Sequence, residues 1–204
     1  MNEASAGQII GLYRRHARAW SEARGELLGG EAPWLEKFLH PLPEHAEILD
    51  LGCGSGRPIA AHLIGLGHLL TGVDASPQLL AMARDMAPDQ RWLAADMRRL
   101  VLGRRFDGVL AWDSFFHLTH ADQRAMFPVF AAHVEPGGTL MFTAGPAHGV
   151  AMGTLFGEPL FHASLSPDEY RQHLDAHGFD VLDHVAEDPD CGGHTVWLAR
   201  RRAD

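Results

Sequence analysis

The residues best suited to chemistry stand at Asp50-Leu51-Gly52-Cys53-Gly54-Ser55-Gly56, where three glycines alternate directly after the apolar run Ile48-Leu49. Glycine at such places permits a tight strand-to-helix turn and lets backbone approach a ligand more closely than a Cβ allows. The unpaired N–H groups of the following helix then face the same ligand. Cys53 reads as a small packing residue of this loop.

Two further acids fall at the ends of apolar runs. Asp74, followed by Ala75, stands 22 positions after Gly52 and closes Leu69–Val73, a place from which a carboxylate accepts two ribose hydroxyl hydrogens. Asp96, with Met97 beside it, closes the next run, positioned to meet an adenine amino group and ring face. One acid at a strand end is commonly a cap, but three spaced in this way converge on one crevice.

The next run ends in Trp112-Asp113-Ser114-Phe115-Phe116-His117-Leu118, a polar and aromatic cluster at the same edge. Trp112 and Phe115, with Tyr13 and Trp20 near the N-terminus, offer ring faces to a cationic group by cation–π attraction. His117 is the candidate base or positioning group, should the acceptor need to lose a proton. His148, His162 and His194 are candidates for the substrate side.

Elements that would position these residues follow from periodicity. Ile9, Leu12, Tyr13, His16 and Trp20 give a helical stripe over Ser5–Arg24, and a second short helix is expected over Trp34–Leu39. Strands are then expected at 46–51, 68–73, 91–94, 106–111 and 139–143, with helices at 58–66, 77–86 and 121–133 between them. The alternation predicts a doubly wound, mostly parallel α/β sheet with helices on both faces. Ser76-Pro77 is a helix start and Gly137-Gly138 a tight turn.

The stretch from Gly145 to Pro167, with its glycines and prolines, reads as a long functional loop. Beyond it come a helix ended by Gly178 and two closing antiparallel strands, 179–185 and 195–200. One domain is expected over 1–204: a helical lid at 1–39, a cofactor-binding core at 46–145 and a substrate side at 145–204.

The ordered segments ILDLGCGSG, GVDAS, AADM, FDGVLAWDSFFHL and EPGGTLMF resemble the motifs of class I S-adenosylmethionine-dependent methyltransferases over about Ile48–Phe142. The resemblance implies a Rossmann-like fold, S-adenosyl-L-methionine as methyl donor and S-adenosyl-L-homocysteine as product. It also implies in-line transfer to an acceptor expected to be a small molecule. By position, Asp50, Gly52, Cys53, Gly54 and Gly56 would hold the methionine part, Asp74 and Ala75 the ribose, Asp96 and Met97 the adenine. Trp112 and Asp113 would flank the methyl site, and Tyr13, Trp20 and Arg24 would belong to a covering segment.

Composition narrows the rest. The 17 basic against 26 acidic residues give a net charge of −9, which disfavours nucleic acid and anionic membrane as partners. Two cysteines without a CxxC pair, and no leader or long apolar run, lead to an expectation of a cytoplasmic protein. Fourteen histidines without HExxH lead to no expected metal, and His173 with His177 reads as a solvated helix face. An NAD-linked oxidoreductase is the rival enzyme. Its GxGxxG would need a glycine where Arg57 stands, and neither Tyr13 nor Tyr170 has a lysine four residues on. A non-catalytic module that senses the sulfur cofactor is the rival from another class. Oligomeric state is not readable.

Overall fold

The computed structural model describes residues 3–203, leaving aside the side chains of Glu3 and Ala4; Met1, Asn2 and Asp204 of the expected domain span lie outside the described residues. Seven strands form the main sheet in the order β3-β2-β1-β4-β5-β9-β8, comprising β1 (Glu47–Leu51), β2 (Leu69–Asp74), β3 (Arg91–Ala94), β4 (Phe106–Ala111), β5 (Val134–Ala144), β8 (Phe179–Asp188) and β9 (His194–Arg201). The pairs of β1 with β2 and β4, of β2 with β3 and of β4 with β5 are parallel, while β9 runs antiparallel to both neighbours. The expected doubly wound, mostly parallel sheet with an antiparallel closing strand is therefore present. Among the described residues no helix is long and apolar enough to cross a membrane.

The strand order reverses between β1 and β4, and the carboxyl ends of strands beside such a switch point form the crevice where α/β sheets take ligands. Register places the candidate acids there. Asp50 of β1 lies level with Gly72 and Leu110, and Asp74 ends β2 opposite Ala94 of β3. Both sheet faces are sealed. Leu49, Val109, Phe115, Phe127, Phe130, Phe142 and Trp197 pack on one side, and Phe38, Ile48, Leu63, Leu80, Trp92 and Met141 on the other. Buried aliphatic and aromatic side chains of this size each stabilise the fold by about 1.5–3 kcal/mol.

Helix starts follow local rules. The Ser76 hydroxyl accepts from Leu79 N at the start of α5 (Pro77–Met86), Thr119 caps α6 (His120–His133) and Ser166 caps α7 (Pro167–Ala176). Helix α3 (Ala32–Leu39) begins two residues before the expected point, and α4 (Ile59–Gly65) follows the glycine loop.

Two expectations are corrected. The single helix over Ser5–Arg24 is instead a 3-10 turn (Glu3–Gln8), α1 (Ile9–Arg15) and α2 (Ala17–Arg24), broken at His16, whose φ of −104° and ψ of 13° interrupt the helical path. Its apolar spacing continues through the break, so the stripe alone gave no sign of it. The long loop from Gly145 to Pro167 is mostly a two-stranded hairpin, β6 (Gly149–Leu155) with β7 (Glu158–Ser164), in register from Gly149↔Ser164 to Leu155↔Glu158. Phe161 and Ala163 of the hairpin pack with Ile9 of α1, with Tyr13 and Val150 against them. That contact, remote in sequence, holds strands whose glycines and prolines read locally as loop.

Candidate active site

A cleft of about 840 Å³, measured out to its mouth, opens at the carboxyl ends of β1 to β4. Its floor begins in the glycine loop. Gly52 has φ +82°, and a Cβ there would overlap the Ser114 side chain; Gly54 has φ +56°, and a Cβ would lie 2.7 Å from the Trp20 ring. Only glycine fits such positions without strain. Backbone bonds tie the loop to β2: Gly52 N and Cys53 N both donate to Val73 O, at 2.7 and 3.2 Å.

Asp74 joins the two walls. Its Oδ2 accepts from Gly54 N at 2.9 Å and its Oδ1 from Ser76 N at 2.7 Å, which leaves lone pairs on both oxygens. Burial raises its pKa and these backbone donors oppose the shift. Ala75 lines the cleft, and its carbonyl accepts two hydrogen bonds from the Arg14 guanidinium, at 2.7 and 3.1 Å. Asp96 and Met97 also line it. Arg98, however, engages both Asp96 oxygens at 2.5 to 3.0 Å, holds the carboxyl below its usual range and reaches Asp122 at 3.0 Å.

At the β4 end the cleft is closed by Tyr13, Trp20, Asp113 and His117. His117 Nδ1 donates to Phe161 O at 2.9 Å, so in the neutral ring Nε2 is an acceptor, and the Tyr13 hydroxyl donates to it at 2.9 Å. Burial lowers the His117 pKa to about 4, with His162 adding to the effect, so this imidazole is neutral at pH 7. His162 stands 5.0 Å from the His117 ring and lines an adjoining pocket with Phe116, Gly145 and Val150. Burial lowers its pKa as well.

Asp113 occupies a left-handed backbone conformation, φ +49°, with its N–H bonded to Thr143 Oγ1 at 2.8 Å. His194 Nε2 donates to its Oδ1 at 3.0 Å, and Nδ1 donates to Cys191 O at 2.6 Å. Of the expected substrate-side histidines, His194 therefore meets the site through Asp113 and His162 through His117. His148 does not reach it; it stacks on His120 at 4.5 Å near Glu169.

The structure withholds several other candidates from the cleft. Asp50 is 5% exposed and lies under the loop; burial, with the Asp74 charge, raises its pKa to about 7. Cys53 turns inward against Gly72, and Gly56 faces Met86 and Trp92 on the far side of the loop. Trp112 joins the core beside His194, at 5.5 Å, and Phe115 is sealed among Phe127, Phe130 and Phe142. Side chains alternate across a strand, and sequence does not say which face the chain keeps on leaving it. Arg24 pairs with Glu31 at 2.5 Å instead of lining the cleft. Conversely, Arg14, Arg98, Ser114 and Asp122 belong to the site without having been singled out. Of these, Ser114, whose hydroxyl donates to Leu51 O at 2.6 Å, stood inside a motif already marked by its neighbours.

Comparison with known proteins shows what the chain is similar to. Residues 48–138 match the family model of a methyltransferase domain. Over 101 residues the chain is 38% identical to dTDP-3-amino-3,6-dideoxy-alpha-D-glucopyranose N,N-dimethyltransferase of Streptomyces fradiae, covering 48% of this chain and 39% of that one. The fold superposes on Burkholderia thailandensis 1,6-didemethyltoxoflavin-N1-methyltransferase with a TM-score of 0.72, at 21% identity, covering 98% of this chain and 87% of that one. It superposes on an amino pentose methyltransferase from Micromonospora echinaspora with a TM-score of 0.70, at 22% identity, covering 90% and 95%. Over residues 48–138 the chain is thus similar to a methyltransferase domain, and its strand order is that of a fold shared with these solved methyltransferases. It spans about two-fifths of the length of the curated relatives it matches.

Proposed function

We propose that the chain transfers the methyl group of S-adenosylmethionine to a small-molecule acceptor. The observation that carries this reading is the Gly52–Gly54 loop lining the cleft at positive φ, with Ser114 and Trp20 packed where a Cβ would lie and Asp74 beside it keeping free lone pairs on both oxygens. The donor is cationic and lacks phosphate, so it suits a cleft lined by Asp74, Asp96, Asp113 and Asp122. A dinucleotide would set a pyrophosphate on the same loop, against Asp74, and fits less well.

In this reading Asp74 receives the two ribose hydroxyls, and Gly52 and Gly54 let the backbone come up to the amino-acid end. Ala75, Leu79, Ala95 and Met97 form an apolar slot for the adenine. The Asp96 carboxylate, saturated by Arg98, shapes this slot instead of hydrogen-bonding the base. Asp50, Cys53 and Gly56 build the loop from beneath; Trp112 and Phe115 support the β4 end. Helices α1 and α2 act as the lid, placing Tyr13 and Trp20 over the cleft. The cofactor supplies an already activated methyl group, so the protein's part is alignment and exclusion of water.

The acceptor end offers hydrogen-bond acceptors. Tyr13 oxygen keeps its lone pairs, His117 is neutral, and Arg98, the arginine among the described lining residues, is engaged by Asp96 and Asp122. This supports an acceptor that brings an N–H or O–H rather than a carboxylate. His117 acts as a positioning residue through Tyr13, its low basicity suiting it to accept a hydrogen bond without taking the proton.

Calorimetric titration with S-adenosylmethionine, S-adenosylhomocysteine and NAD tests the reading. Both sulfur compounds are expected to bind, and Asp74→Ala is expected to weaken them by about 1.5–3 kcal/mol, the worth of hydrogen bonds to a charged acceptor. Binding of NAD alone, or of none of the three, overturns it.

A further inference from the structure

We propose that His194, as an imidazolium, is the positioning residue that fixes the Asp113 carboxylate at the β4 end of the cleft, where it seats the ammonium group of the bound amino-acid moiety. The inference rests on the S-adenosylmethionine reading above and adds to it an ion-pair device built from two residues 81 positions apart.

Topology assigns the end. Asp74 and Asp96 follow β2 and β3, on one side of β1, and Asp113 follows β4, on the other. With the ribose at Asp74 and the adenine beyond it toward β3, an extended ligand crosses the glycine loop and delivers its amino-acid end to β4. Asp113 is the acid that lines the cleft there, and Ser114, the next residue, touches Gly52.

The geometry at His194 fixes its protonation. Both ring nitrogens face oxygens that only accept, the Cys191 carbonyl at 2.6 Å and Asp113 Oδ1 at 3.0 Å. A neutral imidazole has one donor and would leave a lone pair against one of these oxygens. The hydrogen bond to Asp113 accordingly raises the His194 pKa to about 8, against the effect of burial. The ring also stands 5.5 Å from Trp112, which limits its rotation.

Charged groups approach the ring from each neighbouring element. Asp113 comes from the β4 end, and Glu31, itself paired to Arg24, precedes α3. Asp188 of β8 lies opposite His194 in register, with its carboxylate on Trp34 Nε1 and Asp190 N. Glu187 adjoins Thr195 through its backbone, and the Cys191 thiol, raised to about 11 by burial, is uncharged at pH 7. The surroundings are acidic, which favours the cation.

Asp113 needs such a partner. Its side chain is 31% exposed and its backbone is left-handed, so the free carboxylate would sample several rotamers. Asparagine tolerates the same backbone, which makes Asp113→Asn a change of charge without a change of conformation. His194→Phe keeps a ring against Trp112 and removes both donors.

The test is the affinity for S-adenosylhomocysteine, read by calorimetry from pH 6 to pH 9.5. At pH 6.5 each single variant is expected to bind roughly five- to tenfold more weakly than wild type, in line with a partly buried, charge-assisted contact. The double variant is expected to lose no more than either single one, because both remove the same seat. The wild-type to His194→Phe affinity ratio cancels titration of the ligand's own amine. It is expected to fall toward unity as pH rises through about 8, the value of the His194 pKa. Equal affinity of wild type and His194→Phe at pH 6.5, losses that multiply in the double variant, or a ratio independent of pH overturns the proposal. Absence of wild-type binding at every pH overturns instead the methyltransferase reading on which it rests.

Discussion

The two sides of the cleft are held together by different physics. On the side of β1, β2 and β3, main-chain bonds fix the site: Val73 O receives the loop's N–H groups and Asp74 receives Gly54 N and Ser76 N. Such contacts are part of the sheet and persist for as long as the fold does. On the other side, α1 meets the β6–β7 hairpin through one small buried contact, Ile9 with Phe161 and Ala163, and otherwise through solvent-facing side chains at its C-terminal end. Glu158 accepts from Arg15 at 2.5 Å and from His16 at 2.6 Å, and Phe156, half exposed, rests against the His16 ring. Exposed ion pairs contribute little and are screened by salt. In the proposed reading such a site pairs a rigid floor with a cover that lifts for ligand exchange.

Four substitutions probe that contrast. The largest effect is expected for Gly52→Ala, where a Cβ meets Ser114 at a positive φ: a loss of about 2–5 kcal/mol in chemical denaturation. Binding of S-adenosylhomocysteine by the folded fraction should be abolished as well. A variant that is stable and still binds would show that the floor is not rigid.

A smaller effect is expected for Tyr13→Phe, which leaves the buried His117 Nε2 without its donor, at a cost of about 1–3 kcal/mol. The pH dependence follows from His117. Its folded pKa lies below that of the unfolded chain, so as pH falls from about 6.5 toward 4 the unfolded state takes up a proton that the native state refuses, and stability declines. His117→Gln should flatten that slope in denaturation measured between pH 4.5 and 7.

The smallest effect on stability is expected for Glu158→Gln, within the noise of a melting curve. Its pKa is held down by Arg15, with help from His16, so the contact is present above the ordinary carboxylate range and is lost as pH falls through the depressed value. Hydrogen exchange across 9–24 and 149–164 should quicken in this variant and, equally, in wild type at high salt. Unchanged protection would place the hold of the cover in the Ile9–Phe161 contact alone.

The same division governs what could be read from sequence. β3, β4 and α5 were legible to the residue, because Arg91–Ala94, Phe106–Ala111 and Ser76-Pro77 obey local rules of strand period and helix capping. So were the places of Gly52, Gly54, Asp74 and Asp113. The cover was not: the hairpin owes its strands to Phe161 and Ala163 packing on Ile9, and the break at His16 leaves the apolar stripe intact. Nor does sequence say which way a side chain turns at a strand end, which is why Trp112 and Phe115 were expected in the pocket and lie in the core. His194 was legible as a candidate, while its attachment to Asp113 depends on β9 crossing beside β5.

Cys53 sits within a loop proposed to hold an alkylating agent. A thiolate there would be a competing nucleophile, able to take the methyl group and end the protein's working life. Its sulfur instead lies against Gly72 in the core, and burial, with the Asp50 and Asp74 charges, keeps the thiol protonated. Under the proposed function this inward orientation doubles as self-protection, sparing the protein from the reagent it would handle.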